Sequence, residues 1–211
     1  MTAIEGLAVP EGPAARAAAR ARRGGSPPPH PHPHPHPHPH PTEGLLVPPG
    51  HGRVVQTAAQ RVTFKVTGTH SRMASTFEVE VPPGFDVGAH VHTRSEELFY
   101  VLDGELDVLA FEPRIRTPDN WQRWESSSGT RVVRATPGTV IVVPPGCPHA
   151  FANPTDTPAK MFFQASPPPD HERYFEELLE ILDQGGPPDQ EAIEALRAKY
   201  DIEQLTPLRH R

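Results

Sequence analysis

Four side chains in the 211-residue sequence have the types and the spacing to hold a metal ion: His90, His92, Glu97 and His149. Residues two apart in an extended strand project from one face with Cα atoms roughly 6.5–7 Å apart. His90 and His92 can therefore share one ion while Val91 points the other way. Glu97 follows the polar connection Thr93-Arg94-Ser95-Glu96 and opens the next strand, so its carboxylate can return to the same interior; Glu96, one residue out of phase, faces away. His149 joins them as a third imidazole. Imidazole with one carboxylate suits Mn, Fe, Co, Ni, Cu or Zn better than Ca or Mg, and the donor set does not choose among them. An ion that accepts five or six donors keeps one or two positions for water, dioxygen or substrate, which distinguishes a reactive site from a closed structural one. Surface or core filler would account for any one of these histidines, but not readily for three at this spacing together with Glu97.

The elements that must position these groups read as strands. From Val54 the chain turns to short runs of Val, Phe and Thr bounded by Pro-Gly and Asp-Gly turns, an all-β pattern. Strands are expected near Arg61–Val66, Ser75–Val81, His90–His92, Glu97–Leu102, Glu105–Phe111, Thr130–Ala135, Thr139–Val143 and Ala159–Gln164. That number of short strands suits a sandwich or a closed barrel. Alternation from Glu97 points Phe99 and Val101 inward, and alternation from His149 points Phe151 inward; Phe77, Met161 and Phe163 complete an apolar wall suited to an aromatic substrate. The same six would serve equally as ordinary barrel core. His149 itself reads as a loop residue, and Cys147, the only cysteine, as a small buried filler. A polar insertion between Glu112 and Gly129 carries Trp121 and Trp124, either as a lid over a pocket or packed on the barrel or a partner subunit.

Two blocks tie these residues together. The first is Gly84, five residues, His90-Val91-His92, four residues, Glu97, six residues, Gly104; the second is Gly138, five residues, Pro144-Pro145-Gly146, two residues, His149, three residues, Asn153. Both resemble the two motifs of the cupin superfamily, position by position, and the resemblance covers about Val54 to Ala165. It implies a cupin double-stranded β-helix, a jelly-roll barrel, with His90, His92, Glu97 and His149 as ligands of one divalent transition metal ion. Cupin barrels commonly pair, so it also implies a homodimer. The continuation Pro167-Pro168-Pro169-Asp170-His171-Glu172-Arg173-Tyr174-Phe175 is similar to the segment after the barrel in single-domain actinobacterial cupins of the quercetin 2,3-dioxygenase kind. That second resemblance implies a dioxygenase of flavonols or other enolic aromatics, with Glu97 both ligand and catalytic base. A non-oxidative cupin, such as a polyketide cyclase or isomerase, and a non-enzymatic small-molecule or metal-binding cupin are the alternatives, because fold does not fix function.

Outside the barrel (45–168), residues 1–44 are expected to form a disordered arm: an Ala/Arg-rich piece, Ala14 to Arg23, and a His-Pro run, His30 to Pro41. Polyproline II geometry spirals those histidines around the axis, so they bind metal loosely at best. Residues 169–211 are expected to be helical. Asp170 reads as an N-cap, Tyr174, Phe175, Leu178, Leu179 and Leu182 recur at helical spacing up to Gly185-Gly186, and a second stripe of Ile193, Leu196 and Tyr200 follows Pro187-Pro188. A net charge of −6 argues against nucleic acid or an anionic membrane as partner and leaves a small-molecule substrate. No apolar segment is long enough to span a bilayer. Arg22-Arg23 is followed by Gly24 and a proline run where a twin-arginine signal needs an apolar stretch, and a lone cysteine asks for no oxidising compartment. The expected location is cytoplasmic.

Overall fold

The computed structural model describes residues 43–57, 60–182 and 189–209. The chain divides into two units, Met1–Gly44 and Leu45–Arg211. The Ala/Arg-rich piece, the His-Pro run and Gly185-Gly186 lie outside the described residues.

Within the second unit, eleven strands and two helices succeed one another among the described residues: β1 (Arg53–Gln56), β2 (Arg61–Val66), β3 (Ser75–Val81), β4 (His90–Val91), β5 (Glu96–Asp103), β6 (Leu106–Ala110), β7 (Val133–Ala135), β8 (Val140–Val143), β9 (His149–Ala152), β10 (Ala159–Ser166), α1 (His171–Leu182), α2 (Gln190–Lys199) and β11 (Glu203–Gln204). They form two antiparallel sheets, a six-stranded one in the order β1-β2-β3-β10-β5-β8 and a five-stranded one in the order β11-β4-β9-β6-β7. Alternation builds the core: in β3 and β10 every second side chain is buried, and Val62, Phe64, Phe77, Val79, Val101 and Met161 meet between the sheets. Two turns need glycine. Gly104 has φ 71°, and a Cβ there would lie 2.8 Å from the Ala159 Cα; Gly146 has φ 81° and donates its N–H to the His92 carbonyl at 2.6 Å, joining the two sequence blocks.

The all-β barrel with C-terminal helices agrees with the sequence reading, with local corrections. His149 is not in a loop; it opens β9, whose four residues are all buried and so show no alternation. Strand β4 ends at Val91, leaving His92 just beyond it, and β7 begins only at Val133. Strands β1 and β11 had no sequence-level expectation.

The C-terminal helices close over one end of the barrel. The Asp170 carbonyl accepts from Arg173 and Tyr174 to start α1, and the Asp189 side chain caps α2 by accepting from the Ala192 N–H at 3.1 Å. Phe175 and Leu179 pack on the barrel core, Ile193 and Leu196 are buried, and Glu177 bonds both Lys199 and the Tyr200 hydroxyl, tying α1 to α2. Ion pairing of Glu176 with Arg53 anchors α1 to β1. The tryptophans pack on the barrel: Trp121 and Trp124 are 1% and 3% exposed, against Ala89, Leu109, Ala150 and Ala152.

Candidate metal centre

His90 pairs directly with His149 across β4 and β9, which puts both imidazoles on the inner face of one sheet. Glu97 enters from β5 of the other sheet, 3% exposed, while Glu96 is exposed. The ring nitrogens of His90, His92 and His149 come within 4.8 Å of one another. Glu97 stands beside this trio: Oε1 lies 3.3 Å from His92 Nε2, and Oε2 lies 3.0 Å from His149 Nε2.

The orientation of each ring is fixed from behind. His90 Nδ1 faces the Gly88 carbonyl at 2.9 Å, His92 Nδ1 the Asp201 carbonyl at 3.0 Å, and His149 Nδ1 the Cys147 carbonyl at 3.0 Å. A carbonyl only accepts, so each Nδ1 carries a hydrogen, and in the neutral ring Nε2 keeps a lone pair. This is the arrangement that metal-binding histidines use. His149 Nε2 is fully buried and faces a Glu97 carboxylate oxygen 3.0 Å away. Lone pairs aimed at carboxylate oxygens in a water-poor interior need a positive charge between them. A cation shared by the three imidazoles supplies it, so the residues present fit a divalent metal ion.

The protonation equilibria carry the same imprint. Burial, reinforced by the other two imidazoles, pushes His90 well below the ordinary histidine range, and burial also lowers His92. Burial works against the charged forms of His149 and Glu97 too, but each favours the other's charge. His149 is raised by Glu97, and Glu97 is brought down to about 2 by His149 and then His92.

Three supporting residues were given no role of their own in the sequence reading. Asp201, after α2, adopts φ 61°, offers its carbonyl to His92, and accepts with its carboxylate from the Thr93 and Arg94 N–H groups and the Thr93 hydroxyl. Asp86 accepts from Trp121 Nε1, Gln122 Nε2 and the Gly88 N–H, fixing the turn whose carbonyl holds His90. His171, the first residue of α1, is buried against Phe77 and Phe163. It falls on the stripe of Tyr174, Phe175 and Leu178 at helical spacing, a signal available in the sequence; the partners of Asp201 and Asp86 left none.

A cavity of about 920 Å³ opens on the cluster and exposes His90, His92 and Glu97 in its lining, with His149 behind them. Phe77, Phe99, Phe151, Met161 and Phe163 form its apolar wall. Val101, expected among them, is not a lining residue: it is fully buried in the barrel core, where it pairs with Met161. The opposite wall comes from α1, α2 and the segment after them, through Tyr174, Leu178, Ile193, Arg197, Ile202 and Leu205. Cys147 is half-buried against the core, and burial raises its thiol pKa, which disfavours the thiolate.

Two antiparallel sheets wrapped around a buried three-imidazole cluster define a double-stranded β-helix protein with a site suited to a divalent metal. The sequence matches the family described as Cupin over residues 61–184, more than half of the chain. The chain belongs to the cupin family. Among solved structures it is similar to KdgF from a Halomonas species, at 15% identity over 62% of this chain and 99% of that one, with a TM-score of 0.47. The polyketide cyclase RemF from Streptomyces resistomycificus is 18% identical over 59% of this chain and 80% of its own, with a TM-score of 0.45. Oxalate decarboxylase OxdC from Bacillus subtilis is 20% identical over 55% of this chain and 28% of its own, with a TM-score of 0.41. No curated protein matches the sequence.

Proposed function

We propose that the protein is a metal-dependent cupin dioxygenase acting on a flavonol or a related enolic aromatic molecule. The observation that carries this reading is the phenylalanine-walled cavity of about 920 Å³ with an ionised carboxylate and two imidazoles at one end. It has the size and apolar character of a small-molecule site. A divalent transition ion held by His90, His92, His149 and Glu97 would supply Lewis acidity and access to dioxygen chemistry.

Glu97, on the cavity surface, accepts the proton of the substrate hydroxyl, which makes it the catalytic base as well as a ligand. The phenylalanines orient the aromatic body and exclude water from the acidic end. The exposed Tyr100, Leu102, Val140 and Val142, on β5 and the edge strand β8, favour a homodimer through that face. With one cysteine and no disulfide to complete, we assign the protein to the cytoplasm.

Oxygen-electrode assays with quercetin on metal-loaded protein test the reaction. Oxygen uptake that matches flavonol loss is expected. Flavonol consumption without oxygen uptake, or binding without turnover, overturns the dioxygenase reading. Elemental analysis of the protein and its His149→Ala variant, after washing with a weak chelator, tests the centre: the variant loses the tightly held equivalent.

A further inference from the structure

His171 is a polar residue in a position that packing would give to leucine or phenylalanine. It occupies the apolar stripe of α1 and is 8% exposed, with the rings of Phe77 and Phe163 edge-on at 5.3 and 5.2 Å and that of Phe175 at 6.4 Å. Its Nδ1 is fully buried without a hydrogen-bond partner. An imidazole so placed costs folding free energy, and native proteins tolerate such breaches mainly where function uses them.

His171 does not belong to the three-imidazole group, yet its ring centroid is 6.3 Å from that of His92, and it lines the same cavity as His90, His92 and Glu97. A neutral imidazole offers one donor and one acceptor. It is the polar feature of a stretch of wall otherwise made of phenylalanine. We propose that His171 is a substrate-binding residue, whose imidazole hydrogen-bonds an oxygen of a planar aromatic ligand that places another oxygen at the His92–Glu97 end of the cavity. This rests on the reading that the cavity takes an enolic aromatic molecule. The site then recognises two oxygens on one apolar body, and planar hydrocarbons or ligands with a single oxygen bind less tightly.

The test uses the full-length, metal-loaded protein, with quercetin as probe. His171→Phe keeps the aromatic packing and removes the nitrogens; His171→Gln returns a polar group near the place of Nε2, the ring nitrogen that is not enclosed. The expected result for His171→Phe is unchanged metal content, a Tm equal to or above that of the parent, and a Kd for quercetin about tenfold weaker, the worth of one hydrogen bond in an apolar site. His171→Gln recovers part of that affinity. An unchanged Kd in His171→Phe overturns the assignment while leaving the flavonol reading intact. Loss of metal or of Tm together with affinity makes His171 a structural residue and also overturns it. Failure of the parent protein to bind quercetin removes both the functional reading and this inference.

Discussion

Glu97 presents its two oxygens to two ring nitrogens, one on His92 and one on His149. Without a metal ion, a proton on His149 is the available positive charge, and Glu97 raises the His149 pKa above its ordinary 6.5 to keep it there. A metal must displace that proton, so affinity climbs as pH rises through the raised pKa and levels off above it. Titration calorimetry at about pH 6, below the ordinary histidine value, in buffers of different ionisation enthalpy is expected to show proton release on metal uptake; a release of zero contradicts the shared-proton picture. Glu97→Gln leaves a neutral acceptor at the ligand position. With metal restored, its turnover of flavonol is expected to fall by about 10²–10⁴-fold if Glu97 is the base; full turnover confines Glu97 to ligation. His90, His92 and Glu97 were legible in the sequence because the period of a strand is local information. The carbonyls that orient the rings were less so: the Asp201–His92 contact spans 109 residues, with no pattern announcing it.

At the scale of elements, the segment from α2 to β11 acts as a brace for the metal centre. β11 pairs with β4, and the Asp201 carboxylate receives two backbone N–H groups and a hydroxyl from the turn after His92. Asp201→Gly keeps the left-handed backbone and removes the carboxylate. It is expected to cost about 1.5–3 kcal/mol in denaturant unfolding, the range of hydrogen bonds to a charged group. A fall in metal affinity of about tenfold or more should accompany it, as for other residues that orient ligands. Unaltered affinity would show that the Asp201 carboxylate has no part in orienting the His92 ring. Strands with one wet face announced themselves by alternation, as in β3 and β10. β9, buried on both faces, and β11, two residues long, carried no period to read. The choice between lid and packing for the tryptophans depended on Asp86, 35 residues before Trp121, and was equally beyond a local pattern.

For the whole molecule, acid is the vulnerable direction. Burial brings His171 down to about 4 from an ordinary 6.5. Between those values the unfolded chain binds a proton that the native one does not, so stability falls as pH drops from 6.5 towards 4, by up to about 3 kcal/mol from this residue. His90 acts in the same direction. Urea unfolding at a series of pH values should show this limb, and His171→Phe should flatten it; an equal slope in both proteins assigns the acid sensitivity elsewhere. Assembly is tested on the outer face of β8, where Val140 and Val142 are 54% and 51% exposed. The Val140→Glu, Val142→Glu double variant is expected to sediment as a monomer where the parent sediments as a dimer; a monomeric parent ends the dimer proposal.

The brace also has a place in time. Every proposed ligand has been synthesised once His149 is made, but the carbonyl that sets the His92 tautomer belongs to Asp201. At about 5–20 residues per second, the nascent chain spends roughly 3–10 s holding its four donors before the last support is added. A metal ion taken up in that interval would meet a His92 ring without its carbonyl support, and a ribosome stalled between the two residues would hold a barrel with an unfinished site.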